Sequence, residues 1–355
     1  MSDQLRVALI GYGLGGRAFH APLIAITAGL RLATIVTSNP ERRAAASHDF
    51  PSARVADSAE WVWENAREHD LVVITTPNRF HVPLARAAVA ARIPVVVDKP
   101  MAAMALEARE LVAEAQRQNV PITAYHNRRR DGEMLTAQRL IASDALGAVI
   151  RFESRLDRWR PGHVPAVWRE GGAPEDAGGI LYDLGPHLID QARLLFGPVS
   201  HVYAELEKRR PGAVVADDIF IALRHSSGVR SHLWASAVAA QLGYRMRVLG
   251  TRAAYTKLHA DVQEAALRAG VRADAPGFGE DPMDRWGLVG AGADVQPIKT
   301  EKGDYQRFYA QTVAWLRDGA PPPVDPADAV AVLEIIEAAQ RSAAESKVVS
   351  FAQGC

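Results

Sequence analysis

Lys99, in the segment Asp98-Lys99-Pro100, is the first side chain of this sequence whose position suggests chemistry. The segment ends a run of valines typical of a strand buried on both faces, and parallel sheets bind ligands beyond the carboxyl ends of such strands. A partly buried lysine can lose its proton, which arginine effectively cannot. The segment therefore predicts either a chemical role for Lys99 or an ordinary ion pair between Lys99 and a carboxylate such as Asp98.

The second candidate is the pair Asp183 and His187, which are four residues apart. Leu184 and Leu188 lie on one helical stripe, so we expect a helix that carries the pair on one face. Pro186 fits only a first helical turn, which indicates that the helix begins here. A carboxylate beside an imidazole gives an acid–base group near neutral pH, and a structural hydrogen-bonded pair fits the same spacing. The second histidine of a helical zinc motif is absent, so we expect no metal.

A glycine-rich segment, Gly11-Tyr12-Gly13-Leu14-Gly15-Gly16, directly follows the strand-like run Leu5–Ile10. Gly11 permits a tight turn, Gly13 lets the backbone approach a pyrophosphate, and Gly16 allows close helix packing. The amino end of the following helix favours an anion. Because strands and helices alternate around it, the segment predicts a dinucleotide site in preference to a simple glycine turn. The residues assigned to this site are Gly11, Gly13, Leu14 and Gly16.

The end of the second predicted strand bears on the choice between NAD and NADP. An acidic residue there would bind the ribose 2′-hydroxyl of NAD, whereas this chain has Ser38, followed by Arg42 and Arg43. Hydroxyl and guanidinium groups donate hydrogen bonds to a 2′-phosphate, which a carboxylate would repel. We therefore predict NADP. NAD is the alternative, because Glu41 is also present and the arginines equally fit a solvated helix start.

Two further strand ends contribute side chains to the same predicted crevice, because the carboxyl ends of parallel strands meet at one edge of the sheet. For His81, a core or capping histidine is the alternative to a nucleotide contact. The predicted cofactor-binding residues at these two strand ends are Thr76, Pro77, Asn78, His81, Asp98 and Lys99.

The distribution of apolar residues predicts two domains, a dinucleotide-binding domain at 1–126 and a second domain at 127–355. Short apolar runs alternate with helical patterns in the first, which predicts a doubly wound parallel sheet. In the second, longer strands alternate in polarity, as in an antiparallel sheet with one covered face. Residues 260–298 predict a long loop, and two helices are predicted at Tyr305–Asp318 and Asp328–Ser346. The predicted strands are Leu5–Ile10, Leu30–Thr37, Leu71–Thr75, Pro94–Val97, Pro121–Ala124, Ile150–Asp157, Val199–Leu206, Asp218–Arg224, Val229–Ala235 and Arg245–Leu249.

The composition excludes several classes of protein. The 355 residues include 41 acidic and 41 basic side chains, so the net charge of zero offers no basic field for nucleic acid. A single cysteine, Cys355, excludes a disulfide framework and a cysteine-rich metal site. We expect neither a signal peptide nor a membrane-spanning stretch, and hence a cytoplasmic protein.

Taken together, the motifs resemble the Gfo/Idh/MocA oxidoreductase family over nearly the whole chain. The glycine segment and Tyr125–Gly132 are more similar to the NADP-linked scyllo-inositol dehydrogenase-like branch than to the NAD-linked myo-inositol enzymes. In the family's Glu-Lys-Pro motif, Asp98 replaces the commoner Glu. The segments that carry the resemblance are Gly11–Gly16 with Phe19-His20-Ala21-Pro22, Thr76-Pro77-Asn78 through His81, Asp98-Lys99-Pro100, and Asp183 through His187.

The resemblance implies a fold, and it implies roles for the candidate residues. The fold is an N-terminal Rossmann domain with a C-terminal α/β domain, whose open, mainly antiparallel sheet mediates a homodimer or homotetramer. His187 would remove a hydroxyl proton as hydride passes to the nicotinamide, and Asp183 would orient His187. Lys99 would hydrogen-bond the reacting oxygen and stabilise a developing alkoxide.

The implied activity is hydride transfer between NADP(H) and a cyclic polyol, sugar or related hydroxy or keto compound. A non-catalytic sugar- or nucleotide-sensing regulator and an NAD-dependent glycosidase are alternatives on the same fold.

Planar donors and aromatic side chains cluster after the first strand of the second predicted domain. Such a mixture suits a polyhydroxylated ring, whose hydroxyls need donors and acceptors and whose C–H face stacks on aromatics. A polar sheet edge with tryptophans that anchor a loop is the alternative. The cluster comprises Arg155, Asp157, Arg158, Trp159, His163, Trp168 and Arg169. The predicted substrate-binding residues are His126, Asn127, Arg158, Trp159, Trp168 and Tyr244.

Overall fold

The computed structural model describes residues 4–162 and 168–351, and these fall into two compact units. The first unit comprises Met1–Asn127, Gln263–Phe278 and Asp304–Val330. The second comprises Arg128–Val262, Gly279–Gly303 and Ala331–Cys355. The units interleave along the sequence, and the linear division at residues 126 and 127 stays a prediction.

Strands and helices alternate along the first 127 residues. The strands are β1 (Leu5–Ile10), β2 (Leu30–Val36), β3 (Arg54–Ala56), β4 (Leu71–Ile74), β5 (Val95–Asp98) and β6 (Ile122–Tyr125). The longer helices are α1 (Ala21–Ile26), α2 (Pro40–Asp49), α3 (Glu60–Glu64), α4 (His81–Ala90) and α5 (Ala105–Arg117).

The strands of the first unit form one parallel sheet in the order β3-β2-β1-β4-β5-β6. Every residue of Leu71–Ile74 and of the valine run 95–97 is 0% exposed, because helices cover both faces of the sheet. The order reverses between β1 and β4, so the carboxyl ends of these two strands form the crevice where such sheets bind ligands. The predicted doubly wound sheet is confirmed.

The rest of the chain contains longer strands and a second group of helices. The strands are β7 (Val149–Asp157), β8 (Val199–Glu207), β9 (Asp218–His225), β10 (Arg230–Ser236), β11 (Met246–Gly250), β12 (Ala254–Lys257), β13 (Gly287–Ala291), β14 (Asp294–Ile298) and β15 (Val349–Ser350). The helices are α6 (Gly132–Ala142), α7 (Ile180–Asp183), α8 (Gly185–Phe196), α9 (Gln263–Arg268), α10 (Gln306–Asp318) and α11 (Pro326–Glu345).

The second unit is built on a sheet with the order β14-β13-β12-β11-β7-β10-β9-β8-β15. Its neighbouring strands are antiparallel except β7 and β10, which are parallel. The mainly antiparallel sheet is confirmed. The predicted loop at 260–298 is wrong, because it contains α9 and the hairpin β13–β14. Helices α9 and α10 belong to the first unit, whose core includes Leu267 and Phe308. Within residues 4–162 and 168–351, no helix is both long and apolar enough to cross a membrane.

Candidate active site

Close backbone approaches shape the glycine turn after β1. Gly11 has a φ of +108°, and a Cβ on it would lie 2.6 Å from the carbonyl oxygen of Thr75. A Cβ on Gly16 would collide with the carbonyl oxygen of Gly11. Any larger residue at Gly11 or Gly16 would therefore push the turn away from β4 or from the helix that follows.

Gly13 differs from these two glycines because the space beside it is open. The nearest atom to a Cβ on Gly13 would be Arg42 Nη1, at 3.8 Å. A helical segment begins at Leu14, which is 50% exposed, and the nitrogen of Arg17 donates to the Gly13 carbonyl oxygen at 2.9 Å. The amino end of a helix and an open glycine backbone leave room for the pyrophosphate predicted here.

The start of α2 brings one of the two predicted arginines to this turn. Asn39 caps α2 by accepting a 2.9 Å hydrogen bond from the backbone nitrogen of Arg42, and Ser38 beside it is exposed. The guanidinium of Arg42 lies near Gly13, whereas Arg43 Nη1 lies 3.9 Å from a carboxylate oxygen of Asp57. Arg42 is therefore the better placed of the two for a nucleotide phosphate.

The loop after β4 contains a buried hydroxyl that lacks a hydrogen-bond partner. The Oγ1 atom of Thr76 is buried, and it neither donates nor accepts a hydrogen bond among the described residues. Leaving a buried polar atom unsatisfied costs about 1–3 kcal/mol, so the site fits a ligand that supplies the missing partner. Pro77 beside it is half-buried, and Asn78 is buried.

His81 takes an indirect place in the predicted cofactor site. Its ring is 1% exposed, with Nδ1 2.7 Å from the Pro100 carbonyl oxygen and Nε2 2.9 Å from the Thr76 carbonyl oxygen. Burial lowers the pKa of His81, although the nearby charge of Asp98 opposes this shift. Because both nitrogens face backbone carbonyls, His81 links two loops of the site instead of presenting a nitrogen to a ligand.

Asp98 and Lys99 occupy the end of β5 and the turn after it. Asp98 Oδ1 accepts a 2.8 Å hydrogen bond from the backbone nitrogen of Lys99, and Oδ2 accepts one of 3.1 Å from Thr75 Oγ1. Burial alone would raise the pKa of Asp98, but contact with His20 and the charge of Lys99 outweigh it and hold that pKa well below its usual range. Lys99 is half-buried, and its peptide bond to Pro100 is cis.

Two residues beside Asp98 are absent from the predicted site. His20 is fully buried, with Nε2 3.6 Å from Asp98 Oδ2 and Nδ1 2.5 Å from the Tyr309 hydroxyl oxygen. A Cβ on Gly15 would collide with the Thr75 hydroxyl and lie 3.3 Å from Asp98 Oδ2. Two features of the sequence could have identified these residues. His20 is a polar residue shortly after the glycine turn, and Gly15 is a glycine that the dinucleotide motif does not require.

In the second unit, the helix predicted across Asp183 and His187 is interrupted. Helix α7 ends at Asp183 and α8 begins at Gly185, with Pro186 in its first turn and His187 only 6% exposed. The start of a helix at Pro186 agrees with the prediction. That Asp183 orients His187 stays a prediction.

The carboxylate of Asp183 is held by two arginines. Arg158 Nη1 donates to Oδ2 at 3.3 Å, and Arg169 Nε lies 3.8 Å from Oδ1. The guanidinium carbon of Arg169 also lies 4.3 Å from the ring centroid of Trp168. Two residues of the predicted substrate cluster, Arg158 and Arg169, thus contact Asp183, and a third, Trp168, packs against Arg169.

The remaining predicted substrate residues are dispersed or only partly described. Trp159 follows β7 and is 57% exposed. His126 is buried and Asn127 half-buried at the end of β6 in the first unit. His163 lies outside the described residues.

Tyr244 lies on the opposite face of the second sheet from α8. Its hydroxyl donates to Glu153 and accepts a 3.3 Å hydrogen bond from Arg155 Nη2. Ser154, which points the other way on β7, contacts Arg245, and Arg245 donates to Gln191 of α8 at 3.0 Å. Side chains alternate between the faces of a sheet, so Tyr244 is separated from His187 by the sheet itself. This placement does not support Tyr244 as a substrate contact.

The site fits a dinucleotide, and the described residues contain no metal-binding group. A cradle at Gly13, the unsatisfied Thr76 hydroxyl and the Arg42 guanidinium converge on the same edge of the first sheet. Within the part of the chain that the structure describes, no three His, Cys, Asp or Glu side chains cluster as metal ligands.

Comparison with known proteins gives full-length matches. The YdgJ oxidoreductase of Escherichia coli is 40% identical over 347 residues, which is 97% of this chain and 97% of that protein. The scyllo-inositol 2-dehydrogenase (NADP(+)) IolW of Bacillus subtilis is 32% identical over 98% of this chain and 96% of its own length. The solved structure of the oxidoreductase yvaA from Bacillus subtilis has a TM-score of 0.92 at 32% identity, covering 98% of this chain and 99% of that one.

The family profiles account for both parts of the chain. The profile for the NAD-binding Rossmann fold of the GFO_IDH_MocA oxidoreductase family matches residues 5–126, and the profile for its C-terminal alpha/beta domain matches residues 138–351. These matches confirm the resemblance carried by the glycine turn, the Asp98-Lys99-Pro100 segment and the Asp183–His187 pair. The chain is therefore an oxidoreductase that belongs to the Gfo/Idh/MocA family.

Proposed function

We propose that this protein is an NADP-dependent dehydrogenase or reductase that acts on a cyclic polyol, a sugar or a related hydroxy or keto compound. The observation that carries the proposal is the packing of the Lys99 turn against the glycine turn. Asp98 Oδ2 lies 3.3 Å from where a Cβ on Gly15 would be, and it accepts a hydrogen bond from Thr75, whose backbone abuts Gly11. A lysine is therefore fixed beside the predicted dinucleotide site.

The chemistry divides between a hydride and a proton. When bound, the nicotinamide accepts hydride from the substrate carbon or returns it. Lys99 hydrogen-bonds the reacting oxygen and stabilises negative charge that develops on it. His187 takes the hydroxyl proton during oxidation and returns it during reduction, which makes it the acid–base group. The loss of one hydride and one proton converts the alcohol to a carbonyl.

Asp183 serves this chemistry through its charge and its arginine partners. Arg158 and Arg169 hold its carboxylate in one orientation, 3.3 and 3.8 Å away. In the proposed role, that carboxylate fixes the tautomer of His187. Trp168 beside Arg169 offers an aromatic face, and the arginines offer donors, which together suit a polyhydroxylated ring.

The preference for NADP rests on Arg42. Its Nη1 atom lies 3.8 Å from where a Cβ on Gly13 would be, and Ser38 beside the start of α2 is exposed and able to donate a hydrogen bond. An acidic residue just after β2 would select NAD, because it binds the ribose 2′-hydroxyl, and this chain has Ser38 there instead. The similarity to the scyllo-inositol 2-dehydrogenase (NADP(+)) of Bacillus subtilis supports the same preference.

We also propose that the protein forms a homodimer or homotetramer through the second sheet. Phe220, His232 and Trp234 are half-buried on one face of β9 and β10, and their ring centroids lie 5.2 to 6.1 Å apart. This partly exposed aromatic cluster on one face of the sheet favours an interaction surface there. Light scattering should give a multiple of the monomer mass for the wild type and a smaller assembly for Trp234→Glu.

The proposed activity is tested with a panel of cyclic polyols, sugars and their keto derivatives, each assayed with NADP(H) and NAD(H). We expect a change in nicotinamide absorbance with NADP(H) for at least one polyol or sugar. No turnover across the panel would contradict the proposal, and release of nitrophenol from aryl glycosides would identify a glycosidase instead.

Two variants test the assigned roles once a substrate is known. Lys99→Ala and His187→Ala should each lower kcat by about 100-fold or more, because each removes a group that acts in the transition state. Both should still bind NADP. The control is Lys302→Ala, since Lys302 is an exposed lysine paired with Glu280. Wild-type kcat in either test variant would reject its role.

A further inference from the structure

Two buried histidines hold the turn that carries Lys99 from different sides. His20 Nε2 lies 3.6 Å from Asp98 Oδ2, and His81 Nδ1 lies 2.7 Å from the Pro100 carbonyl oxygen. His20 is 0% exposed and His81 is 1% exposed. Neither ring is accessible to a substrate, so any influence on the reaction must pass through residues 98–100.

Tyr309 contacts the other ring nitrogen of His20, Nδ1. Its hydroxyl oxygen lies 2.5 Å from His20 Nδ1, and burial raises the pKa of Tyr309 well above its usual value, so the hydroxyl keeps its proton. A hydroxyl that donates to Nδ1 leaves the ring proton on Nε2, the nitrogen nearer to Asp98. His20 Nε2 lies 3.6 Å from Asp98 Oδ2, an electrostatic contact longer than a hydrogen bond, and the Tyr125 ring packs on His20 with the centroids 4.2 Å apart.

Asp98 passes this restraint to Lys99. Its Oδ1 atom accepts from the backbone nitrogen of Lys99 at 2.8 Å, and its Oδ2 atom accepts from Thr75 Oγ1 at 3.1 Å. The carboxylate thus ties the backbone of Lys99 to the end of β4. Rotation of the Asp98 carboxylate would break both of these hydrogen bonds and its contact with His20.

His81 restrains the other end of the turn. Its second nitrogen, Nε2, lies 2.9 Å from the Thr76 carbonyl oxygen, so the neutral ring donates to one of the two carbonyls and packs against the other. Thr76 also carries the unsatisfied hydroxyl of the predicted cofactor site. His81 therefore connects the loop expected to contact the dinucleotide with the turn that presents Lys99.

We propose that His20 and His81 are positioning residues that clamp the Asp98–Pro100 turn and so fix the Lys99 ammonium where the reacting oxygen binds. This inference rests on the role of Lys99 given under the proposed function. The clamp acts on the rate of the chemical step, because both buried rings act through the turn that carries Lys99.

The variants are His20→Gln, His81→Gln and Tyr309→Phe, with His69→Gln as the matched control. His69 is another buried histidine of the first unit, but it contacts Thr34 Oγ1 at 2.9 Å and the Asn65 carbonyl oxygen at 3.2 Å, away from the turn. We expect kcat to fall about 10-fold or more in His20→Gln and His81→Gln, since a displacement of about 1 Å can cost about 100-fold. The Kd for NADP should stay at the wild-type value in His20→Gln, and His69→Gln should keep wild-type kcat.

A double-mutant cycle with Lys99→Ala separates positioning from general damage to the fold. If the histidines act through Lys99, His20→Gln and His81→Gln should lower kcat by less than about 2-fold in the Lys99→Ala background. The same loss in both backgrounds, or wild-type kcat in the single variants, would overturn the clamp. Wild-type kcat in Lys99→Ala alone would instead overturn the proposed function, so the two failures are distinguishable.

Tyr309→Phe provides a test that does not depend on folding of a histidine variant or on activity, because it removes a single oxygen atom. Long-range ¹H–¹⁵N spectra of histidine-labelled protein should show His20 protonated at Nε2 in the wild type. The resonances of this ring should shift in Tyr309→Phe while those of His69 stay in place. A wild-type His20 protonated at Nδ1 alone would contradict the clamp.

Discussion

Asp98 accepts a 2.8 Å hydrogen bond from the backbone nitrogen of Lys99, so the acid of this motif restrains the main chain of the lysine beside it. The surroundings hold the pKa of Asp98 well below its usual range, which means that the ionised form stabilises the fold at neutral pH. We expect Asp98→Asn to lower the free energy of unfolding by about 1.5–3 kcal/mol, as for other buried hydrogen bonds to a charged group.

Urea unfolding at pH 7 measures this loss, and Asp57→Asn is the control. Asp57 is 74% exposed and lies 3.9 Å from Arg43, so its removal should change stability by less than about 0.5 kcal/mol. The stabilisation by Asp98 is present above its unfolded-state pKa and is lost as the pH falls through its much lower folded-state value. Equal stability of Asp98→Asn and the wild type at pH 7 would contradict this account.

The glycine turn predicts opposite outcomes for two similar substitutions. Gly11→Ala puts a Cβ 2.6 Å from the Thr75 carbonyl oxygen at a φ of +108°, so we expect a loss of about 2 kcal/mol or more in stability. Gly13→Ala meets only Arg42 Nη1, at 3.8 Å, and should unfold within about 0.5 kcal/mol of the wild type. The Kd of Gly13→Ala for NADP should nevertheless rise about 10-fold or more, because the Cβ occupies the open space beside Gly13. A tenfold rise corresponds to a loss of about 1.4 kcal/mol of binding free energy.

Thermal unfolding and cofactor titration separate these effects. A Gly13→Ala protein that is both stable and unchanged in NADP affinity would show that the cradle does not hold the dinucleotide.

The two arginines of α2 predict different effects on cofactor selectivity. Arg42→Ala should raise the KM for NADP about 10- to 100-fold, because it removes one charge-assisted hydrogen bond to the 2′-phosphate. The KM for NAD, which lacks this phosphate, should stay unchanged. Arg43→Ala is the matched control, because Arg43 lies beside Asp57 and not beside Gly13. A wild-type preference for NAD, or equal losses with both cofactors in Arg42→Ala, would argue against a 2′-phosphate site at Arg42.

The first unit was predictable because its strands are continuous apolar runs, such as Leu71–Ile74, that are buried on both faces. Strand β3 (Arg54–Ala56) was missed, because it has three residues and its first is exposed. The hairpin β13–β14 was taken for a loop for a similar reason. Of Asp294–Ile298 in β14, four residues are exposed and the last is half-buried, so no apolar alternation marks the strand.

The candidate site was predictable where chemistry lies in short motifs and unpredictable where it depends on distant contacts. Gly11, Gly13 and Lys99 could be assigned from their neighbours in the sequence. His20 and Tyr309 are 289 residues apart, and no local pattern relates them. The arginine partners of Asp183 likewise come from the loops around it, whereas helical spacing suggested only His187.

Glu133 gives the second unit a pH-dependent term in its stability. It lies in the first turn of α6 with its side chain fully buried, and Arg245 Nε is 3.0 Å from its Oε1. Burial, and then the charge of Asp131, raise the pKa of Glu133 to about 6 against the attraction of Arg245. A carboxyl group whose folded-state pKa exceeds its usual value of 4.5 favours the fold in its protonated form.

The sign of the effect follows from this difference. The contribution of Glu133 is fully present below about pH 4.5 and is lost as the pH rises through about 6, a total of about 2 kcal/mol. Glu133→Gln keeps the neutral shape and cannot ionise, so its stability relative to the wild type should increase by about 2 kcal/mol between pH 4.5 and pH 7. Urea unfolding across this range measures the difference. A difference between Glu133→Gln and the wild type that does not vary with pH would mean that Glu133 stays ionised beside Arg245 throughout.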